Sequence, residues 1–363
     1  MSEATEVSGV TDVMDVTDVR ATRLITKLRF PEPFTVEVEE SVDGAALQVG
    51  ERDVLVETHY SLISPGTELA LYTGTHIDLP NPANRFAKFP FYPGYATVGE
   101  VLEAGAASGF ARGDHVFTAA HHANYEVMEA TEDLVVRMPE GLQPELALFG
   151  RIAEISMTSV LLSRVKPGDY VAVLGMGLVG NLAAQLFAQR GAIPIGIDVV
   201  PERLELAKRT GVEHVVLSGD GGAEDIRVDV RRITGGKDAD IVVEASGVPE
   251  LVITALELCR VLGQVILLGS TRGLVTLNVY DLIHRKGVSV TGAHASLKGV
   301  DGLPTSGELY REVLGMIQSG ALRVEPFITH RLPSTEAKQA YELLLNHKDR
   351  ACGVILNWRE RGE

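Results

Sequence analysis

Cysteine is nearly missing: the 363 residues hold two, Cys259 and Cys352, far apart and each inside an apolar stretch. That excludes a disulfide framework and a cysteine-built metal cluster, and makes a reducing, cytoplasmic setting the expectation. Long apolar runs are absent as well. None reaches the roughly 18 residues needed to cross a bilayer, so no membrane partner is expected. Positive charge is scarce: 33 Lys and Arg against 49 Asp and Glu leave a net charge of -16. Such a field repels phosphate backbones and anionic headgroups, which removes nucleic acid from the expected partners. The first residues lack the basic start and apolar core of a secretory signal; 1–22 read as a flexible tail.

What is present is ordinary globular material, 45% hydrophobic and 23% charged, in a chain long enough for two domains. Residues 24–140 read as short strands between Gly, Pro and Asn punctuation, at 34–38, 53–60, 96–103 and 115–118. A helical stripe follows from 144 to 165. Strands then alternate with helices, at 170–174, 193–198, 214–217, 240–244, 264–268 and 288–291. Alternation of this kind predicts crossover units and a parallel α/β sheet. The elements after 294 break the alternation and are assigned back to the first domain.

The strongest local signal is the run Gly175-Met176-Gly177-Leu178-Val179-Gly180 at the end of the apolar strand 170–174. The glycines suit a tight turn, close approach of a pyrophosphate, and close packing of helix on strand, with the phosphates on the helix N-terminus. The next strand ends at Asp198, where a carboxylate can grip the adenosine ribose hydroxyls and repel a 2′-phosphate. This favours NAD as cofactor, although Arg203, one turn further on, leaves room for NADP, and Asp198 also suits a helix cap. Ser246 and Gly269 end two further strands with small residues, leaving space for ribose and nicotinamide.

These motifs, with Ile63-Ser64-Pro65-Gly66-Thr67-Glu68, Pro93-Gly94-Tyr95-Ala96-Thr97-Val98-Gly99, Gly113-Asp114-His115-Val116 and Lys166-Pro167-Gly168-Asp169, resemble the medium-chain dehydrogenase/reductase superfamily over nearly all of 24–358. Within it the chain is most similar to the bacteriochlorophyllide-type hydroxyethyl dehydrogenase branch. The resemblance implies a Rossmann doubly wound parallel sheet at 166–294 and a β-rich GroES-like catalytic domain formed by 23–165 and 295–363. It also implies a homodimer joined through the last sheet strands, where 274–277 and 288–291 are the candidate segments. Where zinc-dependent members carry ligands, this chain has Pro65, Tyr95-Ala96 and Gly150, none able to bind Zn²⁺. No catalytic metal is expected.

Without a Lewis acid, a side chain must move the alcohol proton. The resemblance points to Thr67, the Ser/Thr that touches the reacting hydroxyl, and to Tyr95, whose phenol would enter the vacated ligand space. His121 and His122 are adjacent, so at most one faces a given cleft; His122 is the candidate. Glu154 lies on the helix that passes the nicotinamide, although an ion pair with Arg151 on a solvated face would account for it equally. His294 is a further candidate.

The expected function is a zinc-independent, NAD-dependent interconversion of a secondary alcohol and a ketone on a polyhydroxylated substrate, a sugar or cyclitol. Two alternatives stay open: a lyase or epimerase that oxidises its substrate transiently on retained NAD, and a non-catalytic NAD(H)-binding protein.

Overall fold

The computed structural model describes residues 23–42, 47–219 and 222–360; the tail expected at 1–22 lies outside the described residues. The first part of the chain runs through β1 (Leu24–Arg29), β2 (Glu37–Val42), β3 (Asp53–Leu62), α1 (Thr67–Tyr72), β4 (Thr97–Ala104), β5 (His115–Thr118), β6 (Tyr125–Glu129), β7 (Val135–Arg137), α2 (Pro144–Ala147) and α3 (Gly150–Leu161). Then come β8 (Tyr170–Leu174), α4 (Leu178–Gln189), β9 (Ile193–Asp198), α5 (Pro201–Arg209), β10 (His214–Leu217), α6 (Gly222–Thr234), β11 (Ala239–Glu244), α7 (Leu251–Leu258), β12 (Cys259–Leu267) and β13 (Ser289–Gly292). The chain closes with α8 (Ser306–Gln318), β14 (Ile328–Pro333), α9 (Ala337–Asn346) and β15 (Gly353–Asn357).

The strands β8 to β13 form one sheet in the order β10-β9-β8-β11-β12-β13, with every pairing parallel. Strands buried on both faces need near-continuous apolar runs, and Val171, Ala172, Val173 and Leu174 are all buried. The strand order reverses between β8 and β11, so the crevice above their carboxyl ends is where such a sheet binds ligands. The apolar stripe of α4 packs beneath it: Leu182, Ala183, Leu186 and Phe187 are each at most 1% exposed. Full burial of such side chains is worth about 1.5–3 kcal/mol apiece.

The second sheet has the order β14-β15-β3-β4-β5-β7, with β6 also pairing β3. Here β15 lies antiparallel to β3, Leu356 opposite Ser61, so the C-terminal segment does return to the first part of the chain. The helix α3 packs against α4 and α8 and carries a continuous core between the sheets, in which Leu62 and Phe117 join Val173 and Leu182.

Local differences from the sequence reading have local causes. The strand expected at 34–38 starts only at Glu37, because Phe34 turns with φ 60° after two prolines that interrupt extension. The helical stripe from 144 is two helices, broken at Leu148 and Phe149, which seats the Phe149 ring 5.7 Å from Phe327. The strand expected at 264–268 begins five residues earlier, at Cys259.

Candidate active site

A cleft of about 1660 Å³ runs between the two sheets, lined from Ser64 and Tyr95 on one side to Gly177, Asp198 and Gly247 on the other. One end is built from backbone. Gly175 turns with φ 94°, and a Cβ there would lie 3.0 Å from the Ser246 amide nitrogen. A Cβ on Gly180 would lie 1.8 Å from the Gly175 carbonyl oxygen, whereas the same position on Gly177 faces open space. Gly177 lines the cleft and stands as N-cap of α4 with no side chain capping the helix. The first-turn amides of α4 are thus free for an anion, favoured by the helix dipole.

Leu178 and Val179 line the cleft at that terminus; Met176 does not, being fully buried, and contributes its backbone. Its amide donates to Asp198 Oδ2 at 2.7 Å, and the Val200 amide donates to Oδ1 at 2.9 Å. Arg203 approaches the same carboxylate at 3.6 Å. Asp198 is 6% exposed and borders the cleft, so its free lone pairs remain available to ribose hydroxyls. These residues therefore fit a dinucleotide: an open seat at Gly177, unpaired amides, and an acid at the end of β9.

Beside the glycine turn, Ser246 and Gly269 lie around a buried carboxylate. Glu244 Oε1 accepts from the Ser246 amide (2.7 Å), the Ser246 hydroxyl (2.5 Å) and the Gly247 amide (2.9 Å), while Oε2 accepts from Thr271 Oγ1 at 3.0 Å. One carboxylate thus staples the loops after β11 and β12. Sequence reasoning had noticed Glu244 only as the end of a strand; an acid buried at the carboxyl end of a parallel strand was the available signal.

The other end is built from side chains. Thr67 opens α1 and lines the cleft with Ser64 and Tyr95. The Tyr95 hydroxyl contacts Ser64 Oγ, and the Arg151 guanidinium carbon lies 5.0 Å above its ring. Burial pushes the Tyr95 phenol above its ordinary value, against the pull of Ser64, Arg151 and Thr67.

The expectation for His122 is corrected. His121 lines the cleft; His122 is fully buried and turns the other way, as neighbours on an extended chain must. Its Nε2 lies 3.1 Å from Glu68 Oε2 and its Nδ1 2.8 Å from Ser61 Oγ. Trp358 Nε1 also donates to Ser61 Oγ, at 2.8 Å. Glu68, 1% exposed, accepts further bonds from Tyr341 Oη at 2.5 Å and from the Ser64 amide at 2.8 Å. The network fixes Ser64, and through it Tyr95. Glu68 was missed as a site residue although it closes the motif that begins at Ile63.

Glu154 is also corrected in part. Its ion pair with Arg151 exists at 3.3 Å, but the carboxylate is fully buried and not on a solvated face. Lys298 Nζ touches its other oxygen, and Arg151 also donates to Tyr310. Burial, then Arg151, draws the Lys298 ammonium down to about 7, against the opposing charge of Asp133. Arg151, not Glu154, reaches the cleft wall, as does His294.

Among the described residues no three or more His, Cys, Asp or Glu side chains are grouped to hold a metal ion. Pro65 and Tyr95 border the cleft, and Gly150 is packed against Leu314, with a Cβ there meeting it at 3.0 Å. The residues at these positions do not fit a zinc ion.

Comparison with known proteins matches residues 50–154 to the alcohol dehydrogenase GroES-like domain and 179–305 to the zinc-binding dehydrogenase family. The 2-desacetyl-2-hydroxyethyl bacteriochlorophyllide A dehydrogenase of Cereibacter sphaeroides is 29% identical over 345 residues, 90% of this chain and 94% of that one. Among solved structures, an Escherichia coli CFT073 short chain alcohol dehydrogenase complexed with NADH superposes with TM-score 0.77 at 17% identity, covering 92% of this chain and 99% of that one. A Sinorhizobium meliloti zinc-binding dehydrogenase bound to NADP does so with TM-score 0.75 at 22% identity over the same shares. With the two domain models matched in order, and a relative aligned along nearly its whole length, the chain belongs to the medium-chain dehydrogenase/reductase superfamily.

Proposed function

We propose that the protein is a zinc-independent oxidoreductase that interconverts a secondary alcohol and a ketone with NAD, on a polyhydroxylated substrate. The observation that carries this reading is one continuous cleft with a dinucleotide seat at Gly177 and a hydroxyl cluster, Tyr95 with Ser64 and Thr67, at its other end. A bound nicotinamide supplies hydride transfer, and the protein supplies position and a proton. The α4 amides and Gly177 hold the phosphates, Asp198 the ribose, and the loops joined by Glu244 the nicotinamide end. Tyr95 Oη holds the proton that passes to or from the substrate oxygen, in the place where relatives of the zinc type use a metal. Ser64 Oγ, in contact with the Tyr95 hydroxyl, orients it. A phenol whose pKa is raised stays protonated across neutral pH, which suits donation to a ketone oxygen. Glu68, His122 and Tyr341 act as positioning residues, since none of them reaches the cleft.

Support for a homodimer comes from apolar side chains exposed around the free edge of β13: Leu274 is 98% exposed, and Val279, Tyr280 and Val290 are exposed beside it. An unpaired edge of this kind needs covering, and light scattering on the purified chain reads the oligomer directly.

The test of the function is a spectrophotometric panel of polyols, sugars and ketones with NAD and with NADP. It is run on wild type and Tyr95→Phe, with metal analysis of the same preparation. Turnover that survives chelation and collapses in Tyr95→Phe supports the reading; stoichiometric zinc, or full activity in Tyr95→Phe, overturns it.

A further inference from the structure

Four arginines line the cleft: the exposed Arg85, and Arg151, Arg203 and Arg272. Two of the four have partners. Arg151 holds Glu154 and Tyr310, and Arg203 holds Asp198. Arg272 is half-buried on the loop after β12, yet makes no hydrogen bond or ion pair with any described residue. It lines both the main cleft and an adjoining recess of about 350 Å³, shared with His76, Ser270 and His294. The loop under it does not drift, because Thr271 is bonded to the buried Glu244. Arg85 and Lys88, both exposed, also line the cleft and form no ion pair among the described residues. The carboxylate near it, Asp78, lies 3.9 Å from His76 and favours the Arg272 charge from a distance, without a hydrogen bond or ion pair to it.

A guanidinium removed from water without an acceptor is costly, and a chain of net charge -16 has carboxylates to spare for it. Arg85 and Lys88 are exposed and solvated; Arg272 alone is half-buried without a bonded acceptor, and an incoming anion would complete it. The cofactor's phosphates are accounted for at the other end, on the α4 amides. We propose that the substrate carries an anionic group, a carboxylate or a phosphate, and that Arg272 binds it, with Arg85 and Lys88 drawing it in. Guanidinium suits either group because its planar fork donates two parallel bonds. This inference rests on the dehydrogenase reading and names the substrate class for it: an acidic or phosphorylated polyol, not a neutral one.

The experiment uses the full chain saturated with NADH, so that the phosphate seat at α4 is filled, and titrates it calorimetrically with inorganic phosphate and separately with sodium D-gluconate. Wild type is expected to bind at least one of them, and which one separates the phosphate source from the carboxylate source. Affinity is expected to fall tenfold or more in Arg272→Gln and to return in part in Arg272→Lys. The melting temperature of Arg272→Gln is expected to match or exceed that of wild type, since no bond within the protein is lost. Failure of both anions to bind, equal binding in Arg272→Gln, or a fall of several degrees in its melting temperature overturns the inference. Absence of heat from NADH itself sinks the dehydrogenase reading instead, and is seen before any anion is added.

Discussion

The two ends of the cleft solve the same problem, holding a polar ligand between two domains, with opposite materials. At the dinucleotide end the contacts are backbone: a left-handed glycine, unpaired helix amides, and loops closed by Glu244 on donors no more than 27 residues away. At the reaction end they are side chains gathered from across the chain; Glu68 alone is bonded from residues 64, 122 and 341. A backbone site fails when shape changes and is indifferent to most side-chain chemistry. A side-chain site has the reverse sensitivity, so substitutions can tell the two apart.

The largest effect is expected at Gly180. A Cβ 1.8 Å from the Gly175 carbonyl forces the helix off the strand, so Gly180→Val is expected to lose several kcal/mol, at or beyond the upper end of the roughly 1–3 kcal/mol typical of overpacking. Chemical denaturation reads it, and NADH binding should vanish with the fold. Gly177→Ala sharpens the point: its Cβ meets nothing in the protein, so stability should hold while NADH affinity drops at least tenfold. A stable Gly180→Val, or a tight-binding Gly177→Ala, would mean the backbone does not make the seat.

Next comes Glu68. Removing one partner from a buried charged network strands the rest, at a cost of about 3–5 kcal/mol. Glu68→Ala should therefore unfold at markedly lower denaturant, with His122 and Tyr341 left without their acceptor. Glu68→Gln keeps the shape and one acceptor; it should be milder in stability yet still lower kcat, because Ser64 and Tyr95 lose their support. Equal kcat in Glu68→Gln and wild type would reduce the network to a structural role.

Tyr95→Phe separates chemistry from architecture at the same end. Losing a general acid typically removes 10²–10⁴-fold in rate, so kcat should fall about a hundredfold or more while NADH affinity holds and stability drops only by the one hydrogen bond to Ser64, about 0.5–1.5 kcal/mol. Because burial raises the phenol's pKa above its ordinary value, the protonated form persists past pH 10. Ketone reduction should accordingly hold its kcat up to that pH and decline only beyond it. An alkaline limb that begins near neutrality, or survives in Tyr95→Phe, would assign the proton to another group.

The same contrast explains what could be read from the chain before its structure. The glycine turn, α4 and Asp198 lie close in sequence and obey steric rules with a fixed spacing, so the backbone geometry at this end of the cleft could be read from local pattern. The return of the C-terminal segment to the first sheet was legible too, from the broken alternation after 294. His122 was not, because adjacent residues on an extended stretch face opposite ways and no local pattern says which face is the cleft; it turned inward to Glu68, 54 residues back. The setting of Glu154 depended on Lys298, 144 residues away. Arg272 carries no motif at all, and only its lack of a hydrogen bond or ion pair among the described residues makes it noticeable.

The smallest expected effect falls on cofactor choice, where the dinucleotide end does depend on a side chain. Asp198 spends part of its carboxylate on the Met176 and Val200 amides and is approached by Arg203. Asp198→Ser keeps a short acceptor for those amides but removes the charge that opposes a 2′-phosphate, and it releases Arg203 to meet one. Hydrogen bonds to charged groups contribute about 1.5–3 kcal/mol each, so NAD affinity should weaken by roughly tenfold or somewhat more while NADP affinity rises. Fluorescence titration with both reduced cofactors reads the ratio. A ratio unchanged by the substitution would show that Asp198 serves only the turn at Met176, and that the preference is set by backbone at this end as well.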